Sequence, residues 1–200
     1  RRVLFRSRFD ATTANQNFNI DTNGQNITFS TAFGTSGATL TKSGAGILTL
    51  AALNTYTGQT TIGAGTLALS GSGGLSSSGV SNSGTLDISN TTSGALIKNL
   101  TGSGNVTLGT KNLTISTTVS GSTYSGVISG NGNVTISTTG SNSTIFSGDQ
   151  TYTGTTTVSS GTLVLGNATG TSSTGSLAGP IVLTRSEEHT SELQSRETIS

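Results

Sequence analysis

The sequence contains no cysteine, no methionine, no tryptophan and a single proline, Pro180. Without cysteine there is no disulfide framework and no thiolate metal site. Charged residues make up 8% and aromatics 4% of the 200 residues, where an ordinary globular domain is about a quarter charged. A formal net charge of +1 gives no electrostatic footprint for nucleic acid or for an acidic partner, so nucleic-acid binding is not expected. No run reaches the roughly 20 apolar residues of a membrane helix. What fills the chain is Gly (29 residues), with Ser, Thr and Asn. Scattered apolar residues on that background would describe a disordered linker. Here they are not scattered.

The few charges are placed unevenly. All four Glu (Glu187, Glu188, Glu192, Glu197), the one His (His189) and all six Arg fall within residues 1–8 or 185–200. From Phe9 to Thr184 there are three Lys and four Asp. The break matches the genetic code. Arg185–Ser191 can be encoded AGA TCG GAA GAG CAC ACG TCT, and the reverse complement of that string translates to Arg1–Ser7. Both peptides are expected to be translated sequencing adapter, the C-terminal one running on through Ser195. Residues 1–7 and 185–200 are therefore set apart from a native segment, 8–184. Glu187, Glu188 and His189, which would pass for a metal or acid–base cluster, go with them.

Within 8–184 the sequence repeats itself. Tyr56–Leu69 aligns with Tyr152–Leu165 without a gap, and a third Tyr-Ser-Gly stands at Tyr124. Leu40–Leu50 has relatives at Leu100–Leu108 and Ile128–Ile136. Each unit closes on an apolar–polar–apolar triplet, such as Leu48-Thr-Leu50, Leu67-Ala-Leu69, Leu113-Thr-Ile115 and Val134-Thr-Ile136. Period two describes a strand with one buried face, and the intervening Gly and Asn supply turns. A β-sandwich has no need of repeated sequence, whereas a solenoid stacks equivalent side chains rung on rung. The pattern predicts an all-β solenoid of eight or nine rungs, with 56–69 and 152–165 in equivalent rung positions.

The string Leu40–Leu50, followed by Asn54-Thr-Tyr-Thr-Gly58, Thr60-Thr-Ile62 and Gly65-Thr-Leu67, resembles the autotransporter passenger-associated strand repeat. A second copy runs from the Tyr124 region through Gln150-Thr-Tyr-Thr-Gly154 to Gly161-Thr-Leu163. It departs from the first by lacking the equivalent of Lys42 and by carrying an insertion, Ser137–Asp149. The resemblance implies a right-handed parallel β-helix, displayed at the cell surface or outer membrane or secreted. The translocating β-barrel of the parent polypeptide would carry it across the outer membrane. It also implies a structural stalk supporting adhesion or autoaggregation, with host or neighbouring-cell surface glycans or proteins as partners. The alternative is a non-catalytic segment of a passenger whose effector lies elsewhere in the parent.

No catalytic, cofactor-binding or metal residue is nominated, and no cofactor is expected. Asp10, Asp21, Asp87 and Asp149 stand far apart in sequence, without the paired carboxylates that acid–base chemistry uses. Asp21-Thr-Asn-Gly24 resembles the start of a calcium loop but lacks its terminal Glu, and reads as a turn. The Asn-x-Ser/Thr triplets, Asn26 and Asn112 among them, read as turn chemistry. Lys42, Lys98 and Lys111 read as solvated, and the three Tyr as corner packing. Threonines fall at varied positions in the motif, so no repeated hydroxyl register is expected.

Overall fold

The computed structural model describes residues 14–75, 78–166 and 175–184. Residues 1–7 and 185–200, together with Asp10, lie outside them. The described residues form nineteen short strands and no helix, and the registered strand pairs are all parallel.

The strands stack into three faces. The first face holds β1 (Asn17–Asp21), β3 (Thr39–Ser43), β5 (Thr60–Ile62), β7 (Val80–Asn82), β10 (Leu100–Gly102), β13 (Ser122–Tyr124), β16 (Ser143–Phe146) and β18 (Thr162–Leu165). The second holds β2 (Ile27–Phe29), β4 (Ile47–Leu50), β6 (Thr66–Gly71), β8 (Thr85–Thr91), β11 (Asn105–Thr107) and β14 (Ile128–Ser129). The third is β9 (Ala95–Ile97), β12 (Leu113–Ile115), β15 (Val134–Ser137), β17 (Thr156–Ser160) and β19 (Ile181–Leu183). The chain is a parallel β-solenoid of about 7 turns.

Fewer turns result than a uniform 20-residue rung over Phe9–Thr184 predicts. Residues 9–13 are not among those described, and rungs also vary in length. Ala95 registers with Leu113, 18 residues on, while Thr156 registers with Ile181, 25 residues on. The corners absorb the difference.

Period two decides what fills the rod. In β4 and β6, Leu48, Leu50, Leu67 and Leu69 are buried while Thr49, Thr66 and Ala68 are half-buried on the outer side. Parallel register aligns the inward residues into columns, Ile27, Leu48, Leu67, Leu86, Val106 and Ile128 on the second face. On the third face the column is Ile97, Ile115, Ile136, Val158 and Leu183. Each fully buried Leu, Ile or Val contributes roughly 1.5–3 kcal/mol from apolar burial.

The two ends of the rod differ. Near the N-terminal rung, Phe33 stacks on Phe18 with ring centroids 4.7 Å apart and meets Phe29 at 5.3 Å. The inward Phe18 and Ile20 are both buried. At the opposite end β18 and β19 close their sheets, and the residues in inward register stay open, Leu165 at 39%, Ile181 at 48% and Leu183 at 58% exposure.

The repeats do not all land on the same face. Leu40–Leu50 and Leu100–Leu108 both turn from the first face to the second, three rungs apart. Ile128–Ile136 makes the same turn one face further round, from second to third. In 56–69 the strands lie on the first and second faces, while in 152–165 they lie on the third and the first. The expectation of equivalent rung positions is therefore corrected. The motif encodes a strand–corner–strand, and a three-faced rung accepts it at any corner. Part of the offset has a visible source. The insertion Ser137–Asp149 contains β16, a complete strand of the first face, which carries the rest of the second copy one face onward.

Candidate functional site

The Asn/Gln-Thr-Tyr-Thr-Gly string sits where a rung has no regular strand. There a buried side-chain amide supplements the sparse backbone bonds between rungs. Asn54 Oδ1 accepts the Phe33 N–H at 2.9 Å, and its Nδ2 donates to the carbonyls of Ala52 and Gly74 at 2.8 and 3.2 Å. Gln150 repeats the arrangement ninety-six positions later. Its Oε1 accepts the Ile128 N–H at 2.8 Å, and its Nε2 donates to Gly148 O at 2.6 Å and Gly126 O at 3.1 Å. Both amides are buried. A buried backbone group without a partner is costly, and these amides add to the few backbone bonds that join the rungs there, such as Tyr56 N–H to Phe33 O at 3.2 Å and Tyr152 N–H to Ile128 O at 3.1 Å.

Tyr56 and Tyr152 complete the same unit. Each phenol is buried and hydrogen-bonded to the threonine four residues on, Thr60 and Thr156. Thr60 is in turn bonded to Ser78 of the next rung at 2.7 Å. Tyr124 is not their equivalent. It lies within β13, and its hydroxyl donates to Gly104 O on the preceding rung. Burial is the leading cause that raises all three phenols above their ordinary pKa, because the phenolate would be desolvated.

Lys42 is the main correction to the sequence reading. It is fully buried, not solvated. Its Nζ donates to the carbonyls of Ser43 at 2.9 Å, Gly44 at 2.7 Å and Ala64 at 3.0 Å, which uses all three ammonium donors. Desolvation lowers its pKa, partly opposed by the Asp21 carboxylate. The signal was present in the sequence, because Lys42 stands two residues after Leu40 and so shares its inward side. Gly104 occupies the place in its corner that Gly44 occupies in the first, and Tyr124 supplies the donor there. At an intermediate rung Asn82 Nδ2 donates to Asn105 O at 2.8 Å. A polar seam thus runs inside the corner between the first and second faces.

That corner is also closely stacked. A Cβ on Gly104 would overlap the Gly84 carbonyl oxygen, and one on Gly126 would overlap that of Gly104. Glycine there lets the backbones of successive corners approach directly.

The remaining candidates are bland. In Asp21–Gly24, Asn23 N–H donates to Asp21 Oδ1 at 2.8 Å, and Asn23 and Gly24 have φ of 46° and 76°, which makes the segment a turn. Asn26 Oδ1 accepts the Ile47 N–H, and Asn112 Oδ1 accepts from Asn133. Asp21, Asp87 and Asp149 lie in β1, in β8 and after β16. Among the described residues no three His, Cys, Asp or Glu gather as a metal cluster. A groove of about 440 Å³ beside β9 is lined by Leu53, Ser72–Leu75 and Thr92–Leu96, with no titratable side chain. The varied threonine positions do fall into one outward register: Thr41, Thr61, Ser81 and Thr101 share a column on the first face. Ile145 and Val164 interrupt it further along.

A rod of sparsely charged rungs, tied by buried amides and phenols, defines a structural β-solenoid segment. Two parts of it, residues 40–69 and 129–165, match the family model of the passenger-associated-transport-repeat. The chain carries the autotransporter passenger repeat, and repeat and solenoid together fit an autotransporter passenger stalk. That repeat family implies a secreted or surface-exposed protein. No curated protein and no solved structure matches the chain.

Proposed function

We propose that the chain is a non-catalytic stretch of a passenger stalk that supports adhesion or autoaggregation at the cell surface. The observation carrying this reading is the placement of the two passenger repeats. Their characteristic residues (Asn54, Tyr56, Gln150, Tyr152) are spent inside the rod, on joining rungs. What remains outside is a long hydroxyl and amide surface. Its partners are host or neighbouring-cell glycans or proteins met through neutral hydrogen bonds, and its route outward is the translocating barrel of the parent polypeptide. The test is cells expressing the parent gene with and without the segment for residues 14–184. Loss of clumping or attachment, with surface export retained, supports the reading. The loss should change little between low and high salt, since contacts among neutral groups are not screened. Unchanged clumping and attachment would count against it.

A further inference from the structure

Burial alone does not choose the register in which β5 lies on β3. In the observed pairing Leu40 meets Thr60 and Lys42 meets Ile62. Sliding β5 by two residues would preserve the inward–outward alternation and set Leu40 opposite Ile62, an apolar pair, with Lys42 opposite Ala64. Rung length elsewhere in this solenoid varies by several residues, so length alone does not fix the register either. Something other than apolar burial holds the observed register.

We propose that Lys42 is a register key, a buried cation that locks the corner after β3 to the corner after β5. Two of its donors go to its own corner, at Ser43 and Gly44, and the third crosses to Ala64 on the next rung. A two-residue slide would carry Ala64, and the left-handed Gly65 that follows it, about 6.6 Å along the strand, breaking the ammonium's bond to the neighbouring rung. Asp21, the one ionised group acting on it, lies on the rung beneath and is itself exposed. No charged side chain stands on β5 or its corner to substitute. Burying a charge without its partners is far costlier than burying an apolar side chain of similar volume, so the penalty falls selectively on the slid register.

The cysteine-free chain allows a direct test. The outward pair T41C/T61C is aligned in the observed register, at the rung spacing of about 4.8 Å, within disulfide reach. The pair T39C/T61C is diagonal, about 8 Å apart, and closes only after a two-residue slide. Both pairs are refolded at high dilution with Lys42 or with K42M, oxidised, and mapped by mass spectrometry. With Lys42 only the aligned pair should close. With K42M the ratio of diagonal to aligned cross-link should rise at least about tenfold. An unchanged ratio in a folded K42M chain would overturn the proposal. A K42M chain without β circular dichroism would overturn it too, since the ammonium would then be required for folding itself.

Discussion

At the scale of single residues, inward and outward positions on one strand should respond very differently. Leu67 is completely buried between Leu48 and Leu86. Leu67→Ala should cost about 2–5 kcal/mol through lost transfer energy and a cavity. Thr66→Ala, on the outer side, should stay within roughly 0.5 kcal/mol. Chemical denaturation of the two variants checks this, and equal tolerance would mean that the inward face is assigned wrongly. The phenols make a second case. All three tyrosines of the chain have folded pKa values raised above the ordinary one. The folded state therefore holds their protons more tightly than the unfolded state. Their contribution is complete below about pH 10 and is lost as pH rises beyond it. Lys42 acts in the opposite sense. Its lowered pKa makes stability rise with pH from that value toward about 10.5, where the unfolded lysine also deprotonates. Absorbance at 295 nm should show no phenolate until the β signal collapses; ionisation of any tyrosine near pH 10 in the folded chain would contradict this. The tyrosine burial was legible in the repeat. The Lys42 burial was masked, because the general rule that lysine is solvated outweighed the alternation that placed it beside Leu40.

Elements carry the next level of consequence. Gln150 adds a side-chain tie between β14 and the segment that precedes β17, beside the backbone bonds that Thr151 and Tyr152 make to Ile128 O. Gln150→Leu keeps the volume but orphans the Ile128 N–H and two carbonyls. It should cost about 1–3 kcal/mol and raise hydrogen exchange first at Ile128, whereas exchange spread evenly over all rungs would argue against a local tie. Strand existence and facing were readable from period two. Which face each strand joins was not. The motif specifies its own two strands and the corner between them, and nothing in Leu40–Leu50 or Ile128–Ile136 counts the faces already turned. Only the length between copies does, and there β16 hid inside what reads as a loose insertion. The amide ties were missed for a related reason. Asn54 and Gln150 differ in length, so their shared role emerges only once both are seen reaching across rungs.

Over the whole molecule, scarcity of charge becomes a property of the rod. Between Phe9 and Thr184 the cleavage sites open to trypsin are the three lysines. Lys42 is buried, and Lys98 and Lys111 are only half-buried. Limited digestion of the folded chain should therefore cut this span after Lys98 and Lys111 and spare Lys42. Early cleavage at Lys42 would mean that the N-terminal rungs open readily. The composition and repeats announced a solenoid, but the number of turns was less legible, since rung length is set by corner loops whose residues carry no fixed count.

The one-face offset between the two passenger repeats bears on valency. Their strands are turned from each other by roughly a third of a revolution on a three-faced rod. Any outward feature that the two copies share therefore follows a spiral instead of a straight line. A flat surface pressed against the rod meets such a feature in one copy and not in the other, and gains no avidity from the duplication. A flexible partner, such as a loose polymer able to wrap, can engage both.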